Sequence, residues 1–150
     1  LAIDISSDGT LGHLLVQKAG GSRMPASHES VEAGYHYIEM AGSEVFKNAV
    51  RSMSDSSLKA IDKAGLSVDD IDWVITHQAN IRIIEATAKR LNRPKEKVIV
   101  TVDKFGNTSA ASIPMALVES QKQGKFNKGD VLVLSAFGGG LTWGSIVLRW

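Results

Sequence analysis

The sequence predicts an α/β fold in which helices cover a mixed sheet. Three observations lead there. Short apolar, often β-branched runs alternate with longer stretches of helical period, and turn-rich segments separate them. A chain of 150 residues, 43% hydrophobic and 22% charged, is long and apolar enough for one ordinary core. The expected order of elements, β-β-α-β-α-β-α-β-β, is that of a sheet flanked by helices rather than of a bundle or a sandwich.

Residues 1–5 and 11–17 read as two strands joined by the turn "SSDG". The polar stretch 18–35 reads as a long surface loop. A helix is expected over 38–64, because Ile38, Ala41, Val45, Ala49 and Met53 recur at three- or four-residue steps, with Phe46, Val50 and Ile61 widening the stripe. Glu39 and Glu44 lie early in it and Lys59 and Lys63 late, which suits the helix dipole, and Gly65 supplies a stop. "SVDDID" turns the chain into a strand at 73–76. A second helix follows over 80–91, with Ile81, Ile84, Ala88 and Leu91 on its buried side and Pro94 barring its continuation. Residues 98–102 are β-branched and apolar, which predicts a buried strand. A third helix is expected over 108–123, where Pro114 calls for a late start or a kink. Residues 131–136 and 142–148 should pair as an antiparallel hairpin.

Composition removes several function classes. Seventeen Lys+Arg against 16 Asp+Glu leave a net charge of +1, which makes no case for nucleic acid as the main partner. No apolar run approaches the roughly 20 residues of a membrane span. The opening "LAIDISSDGT" lacks the basic segment of a secretory signal, which favours the cytoplasm, and it enters a strand so abruptly that further sequence upstream is expected. Cysteine is absent, so disulfides, thiolate metal sites and a thiol nucleophile are excluded within these 150 residues. His13, His28, His36 and His77 show no metal-ligand spacing, and no metal is expected.

Three stretches hold the polar groups that could carry chemistry. "VITHQAN" ends an apolar strand with His77, Gln78 and Asn80, groups that are costly to bury unpaired. A loop beyond the carboxyl end of an α/β strand is a usual ligand position, and the following helix start offers backbone N–H groups. His77 on its own also fits a satisfied structural residue, and Asn80 a helix N-cap. In "FGNTSAAS", Asn107 takes the equivalent place after the next strand; it also fits a turn residue, and the Asn-Thr-Ser sequon carries little weight. The tiny residues 109–112 either admit a close approach to the helix start or pack against the first long helix. Gly138, Gly139 and Gly140 lack the Lys-Ser/Thr and helix of a phosphate loop; a hairpin turn, or a turn lending a backbone N–H to a site, remains.

"THQANIRI", "DKFGNTSAAS" and "SAFGGGLTWGS", in this order and spacing, resemble the C-terminal half of the β-ketoacyl-acyl-carrier-protein synthase III family, thiolase-like condensing enzymes. The resemblance runs from the "SSDG" turn to the final "GSIVLRW". It implies a thiolase-like half with a five-stranded mixed sheet flanked by helices, residues 1–150 forming the C-terminal domain. It also implies an acyltransferase that condenses an acyl-CoA, usually acetyl-CoA, with malonyl-acyl-carrier-protein in a decarboxylative Claisen reaction. Within the family's Cys-His-Asn set, His77 and Asn107 match the histidine and asparagine, and the cysteine would lie upstream of Leu1. Gly139 matches the glycine of the oxyanion hole. Gly42, Ser43, Phe46, Ala79 and Asn80 fall where coenzyme A is held, with Ser43 replacing a frequent asparagine. Lys47, Arg82, Lys89 and Arg90 fall on the surface that receives the acidic carrier protein. No cofactor beyond the coenzyme A thioester substrate is implied, and the partners are acyl-CoA, the carrier protein, the N-terminal half and a second copy in a cytoplasmic homodimer. A related synthase of specialised metabolism using another starter, or a non-catalytic module binding coenzyme A or carrier protein, fits the same residues.

Overall fold

A computed structural model describes residues 1–150. A four-stranded sheet has the order β1-β6-β5-β4, formed by β1 (Ala2–Ser7), β4 (Trp73–Thr76), β5 (Val131–Gly138) and β6 (Thr142–Arg149). It is mixed: β4 runs parallel to β5, while β5–β6 and β6–β1 are antiparallel. The expected hairpin is present, closing at Gly138 opposite Thr142. A separate two-stranded sheet pairs β2 (Leu15–Gln17) with β3 (Ile38–Met40).

The helices are α1 (His28–Glu32), α2 (Gly42–Lys63), α3 (Ile81–Arg90), α4 (Val102–Phe105) and α5 (Ser112–Lys122). On one face of the sheet, Ala60 and Ile61 of α2 pack with Val74, Val133 and Val147. Serines let α2 lie close there: Ser57 Oγ is 3.1 Å from Ser145 Oγ, which is 2.8 Å from Ser135 Oγ. At the sheet's upper end, Ala49, Val50 and Met53 of α2 meet Ile83 of α3, with Phe46, Ala79 and Phe137 against them.

On the opposite face, α5 covers β4 and β5, where Ile75, Ile99, Ala116, Phe126 and Leu132 are buried. Each such aliphatic side chain contributes about 1.5–3 kcal/mol on burial. Nothing covers the rest of that face. Ile3 and Ile5 of β1 are 56% and 78% exposed, and Ile146 of β6, register partner of Ile3, is 40% exposed.

The α/β architecture, a mixed sheet flanked by helices, is as expected, but several elements differ from the sequence reading, each for a local reason. Residues 11–17 are not one strand: a 3-10 turn (Gly9–Leu14), capped by the Asp8 carboxylate, precedes the short β2. The 38–64 helix begins only at Gly42, because residues 38–40 pair with β2 as β3 and their backbone is committed to that ladder. The 18–35 loop contains α1, whose Ser27 and Ser30 form a reciprocal cap. Residues 98–102 do not make a fifth strand of the sheet. Val98 makes only an isolated bridge to Val74, and the chain then bends into α4, its amides taken by a side chain rather than by a strand. The helix expected from 108 starts late, at Ser112 after a 3-10 turn (Ser109–Ala111), and Pro114 sits in its first turn where no helical N–H is required.

Candidate active site

The three chemistry-bearing stretches converge on the carboxyl end of β4 and β5. Thr76 pairs with Ser135, and the His77 amide donates to the Ser135 carbonyl at 2.7 Å, carrying the ladder one residue further. β5 then continues beyond the end of β4 to Gly138, so the glycine turn projects at the same edge as His77. That turn is fixed from the other side: Asp8 and Leu141 exchange both backbone hydrogen bonds, at 2.8 and 3.0 Å, and Leu141 is fully buried with Leu14 and Val45. A Cβ on Gly139 would stand 3.4 Å from the Leu15 carbonyl, an ordinary van der Waals contact, so the turn packs closely on β2.

His77 is half-buried. Its Nδ1 lies 2.6 Å from the hydroxyl of Ser112, the first residue of α5, while Nε2 has no partner within the chain. Burial holds the imidazole below the ordinary histidine range, so the neutral form predominates at neutral pH. A neutral imidazole offers one N–H donor and one acceptor.

Asn107 lies on the exposed loop between α4 and α5. Its Oδ1 accepts from the Ser109 amide at 3.0 Å, and the Nδ2 amide hydrogens have no partner within the chain. The backbone around it is constrained. Gly106 has φ 68° and ψ −162°, a region open essentially to glycine alone, and Ser109 is held at φ 51°.

Gln78 joins the two loops. It is 1% exposed, and its Nε2 donates to the carbonyls of Thr76 (2.9 Å) and Ile99 (3.2 Å). Its Oε1 accepts from the amides of Thr101 (2.7 Å) and Val102 (3.2 Å), the start of α4. The Asn107 loop therefore leaves a segment held by Gln78 and enters a helix whose first residue holds His77. Ser112 does not stand out in the sequence, and Gln78 does so only as a polar group at a strand end. The one available signal was that a buried amide at a strand end must be bonded, and that pointed to Gln78 without naming its partners.

The residues matched to coenzyme A binding gather at neighbouring helix starts. Gly42 and Ser43 open α2, and Phe46 and Ala79 pack on the same apolar cluster. Asn80 is the N-cap of α3, its side chain accepting from the Ile83 amide at 3.0 Å. The four basic residues divide. Arg82 lies over the Phe46 ring, 5.5 Å from its centroid, and with Lys89 and Glu85 lines a groove of about 730 Å³ between α3 and residues 92–100. Neither Arg82 nor Lys89 has an ion-pair partner, whereas Lys47 is paired with Glu44 and Arg90 with Asp55, at 2.8 and 2.9 Å. No group of His, Asp or Glu is arranged to hold a metal ion.

Comparison with known proteins gives the family. The family model for the C-terminal part of 3-oxoacyl-[acyl-carrier-protein] synthase III matches residues 61–150. The chain belongs to that family. It is 56% identical over its whole length to the β-ketoacyl-[acyl-carrier-protein] synthase III of Clostridioides difficile strain 630, covering 46% of that relative. The crystal structure of 3-oxoacyl-[acyl-carrier-protein] synthase III from Aquifex aeolicus VF5 matches all of the chain with a TM-score of 0.85 at 46% identity, over 44% of its own length. The corresponding Pseudomonas aeruginosa PAO1 structure matches with a TM-score of 0.87 at 41% identity, again over 44%. The chain thus spans less than half the length of the curated relatives it matches. No helix is long and apolar enough to cross a membrane.

Proposed function

We propose that residues 1–150 are the C-terminal domain of a condensing acyltransferase, which joins the acyl group of acetyl-CoA to malonyl-acyl-carrier-protein in the first chain-building step of fatty-acid synthesis. The observation that carries the reading is two neutral donors linked by one short segment: the imidazole of His77, bonded to Ser112, and the amide of Asn107, bonded to Ser109. Family membership supports it. The nucleophile must come from elsewhere, since these 150 residues hold no cysteine. An N-terminal half carrying that cysteine fits the bare apolar face of the sheet around Ile3, Ile5 and Ile146.

The chemistry explains why strand ends carry amides and an imidazole. A cysteine thiolate attacks the acyl-CoA carbonyl, and coenzyme A leaves as its thiolate. The malonyl thioester then loses carbon dioxide: its C–C bond breaks, the electron pair stays on the α-carbon, and negative charge develops on the thioester oxygen. His77 and Asn107 donate to that oxygen. Two preorganised neutral donors lower the barrier by roughly 2.7–4 kcal/mol each without reorganising when the charge appears. The carbanion attacks the acyl-cysteine carbonyl, where the Gly139 amide receives the oxyanion, and collapse expels the cysteine thiolate with formation of the ketoacyl-carrier-protein.

Coenzyme A enters along Gly42, Ser43, Phe46, Ala79 and Asn80, and the acidic carrier protein docks on the Arg82 and Lys89 face. The intact enzyme works in the cytoplasm as a homodimer and needs no further cofactor. The test is reconstitution: the chain mixed or co-expressed with an upstream half bearing the cysteine should form ketoacyl product from acetyl-CoA and malonyl-carrier-protein. The 150-residue chain alone should form none, and product from it alone would refute the cysteine-dependent mechanism.

A further inference from the structure

We infer that Ser112 is a positioning residue that sets the tautomer of His77, placing the imidazole proton on Nε2. The inference rests on the reading of His77 as an oxyanion donor.

Ser112 is 3% exposed, and its hydroxyl meets one partner, His77 Nδ1 at 2.6 Å. A buried hydroxyl with one neighbour can use that contact as donor or as acceptor. If it accepted from an Nδ1–H, its own proton would be left buried with no acceptor, the costlier of the two arrangements. As donor it spends that proton on Nδ1, which must then be unprotonated, and Nε2 carries the N–H. No carbonyl or carboxylate is hydrogen-bonded to the ring; the one carbonyl bonded to His77, that of Ser135, takes its backbone amide. A carbonyl in the place of Ser112 could only accept, and would force the opposite tautomer.

The fold makes this contact stiff. Ser112 opens α5, whose Ala116 is fully buried against the sheet, and the Ser112 amide is itself bonded to the Ser109 carbonyl. The Ser109 amide in turn holds Asn107. One short segment, residues 107–112, therefore orients both donors: the amide of Asn107 through Ser109 and the imidazole of His77 through Ser112. A wrong tautomer would aim a lone pair, not a proton, at the developing charge.

The test reads the tautomer directly, from the ring nitrogen shifts of ¹⁵N-histidine-labelled chain at pH 7.5. Wild type should carry the proton on Nε2. Ser112→Ala should give a mixture of tautomers, and Ser112→Thr, which keeps the hydroxyl, should restore the wild-type spectrum. In the reconstituted enzyme Ser112→Ala should lower kcat for malonyl decarboxylation by about 10- to 100-fold with little change in KM. A proton on Nδ1 in wild type, an unchanged tautomer in Ser112→Ala, or a changed tautomer with unchanged kcat would each overturn the assignment. His77→Ala is measured alongside. If it abolishes decarboxylation while Ser112→Ala does nothing, the failure lies with Ser112 and not with the role of His77.

Discussion

Replacing Gln78 with Leu should destabilise the chain far more than its single side chain suggests. The two are close in size, so the cost comes almost entirely from lost hydrogen bonds. Four well-formed bonds disappear: two donated to Thr76 and Ile99 and two accepted from the Thr101 and Val102 amides. A fifth contact, to the Thr101 hydroxyl at 3.4 Å, is long and is neglected. Carbonyls tolerate losing one partner better than amides do, so the main penalty falls on Thr101, which is 4% exposed, and on Val102. At about 1–3 kcal/mol per buried group left unsatisfied, the two amides give roughly 2–6 kcal/mol. For a domain of this size that is a fall in Tm of about 4–24 °C. The assay is thermal and urea denaturation of wild type and Gln78→Leu, followed by circular dichroism. Amide hydrogen exchange should show the loss of protection concentrated at 101–105. Gln78→Glu keeps the acceptor but turns a carboxylate toward two carbonyls, so its penalty should shrink as pH falls and the carboxyl becomes protonated. A Gln78→Leu cost under about 1 kcal/mol, with α4 still protected, would refute the claim that this amide ties the two loops together.

The remaining predictions concern docking, the imidazole and the loop backbone. Arg82→Glu should weaken use of malonyl-carrier-protein in the reconstituted enzyme while leaving acylation from acetyl-CoA nearly unchanged. Lys47→Glu should do less, because Lys47 is already paired with Glu44; both losses should shrink with salt, since exposed charges are screened beyond about 10 Å at 0.1 M. Equal losses with both substrates would reassign Arg82 to coenzyme binding or folding. Because burial lowers the His77 pKa, the unfolded chain binds a proton near pH 6.5 that the folded chain does not. Stability should therefore decline as pH drops below about 6.5 and level off below the folded value, and His77→Asn should remove that part of the decline in urea midpoints compared at pH 7.5 and 5.5. An identical decline in the variant would place the effect elsewhere. Gly106→Ala should cost decarboxylation more than stability, because its φ/ψ region excludes a Cβ and the displaced residue is Asn107; wild-type rates would contradict it.

Much of this was legible in the sequence, and the failures share a cause. The long helix, the second helix, the terminal hairpin and the strand before His77 follow from periodicity and turn residues, which are local signals. Residues 98–102 have β-branched, apolar composition, yet the Thr101 and Val102 amides are claimed by Gln78, a partner more than twenty positions away. Ile38 fits the helical stripe as well as it fits β3, and only its pairing with Gln17 decides between them. His77, Asn107 and Gly139 are candidates in the sequence because their motifs occur in order, but what fixes their orientation is not local. Ser112 is merely one small residue in a run of small residues until the fold puts it against an imidazole. Arg90 and Lys47 look like free cations in sequence, and the fold supplies each with an acid.

The most direct measurement is carbon dioxide release from malonyl-carrier-protein by the reconstituted halves, comparing wild type with His77→Ala and Asn107→Ala at matched acylation of the cysteine. Loss of one oxyanion donor should slow release by about 10²–10³-fold in either variant. Acylation from acetyl-CoA should be much less affected, above all in Asn107→Ala. Decarboxylation at the wild-type rate in Asn107→Ala, accompanied only by lower thermal stability, would make Asn107 a turn residue and contradict the two-donor site.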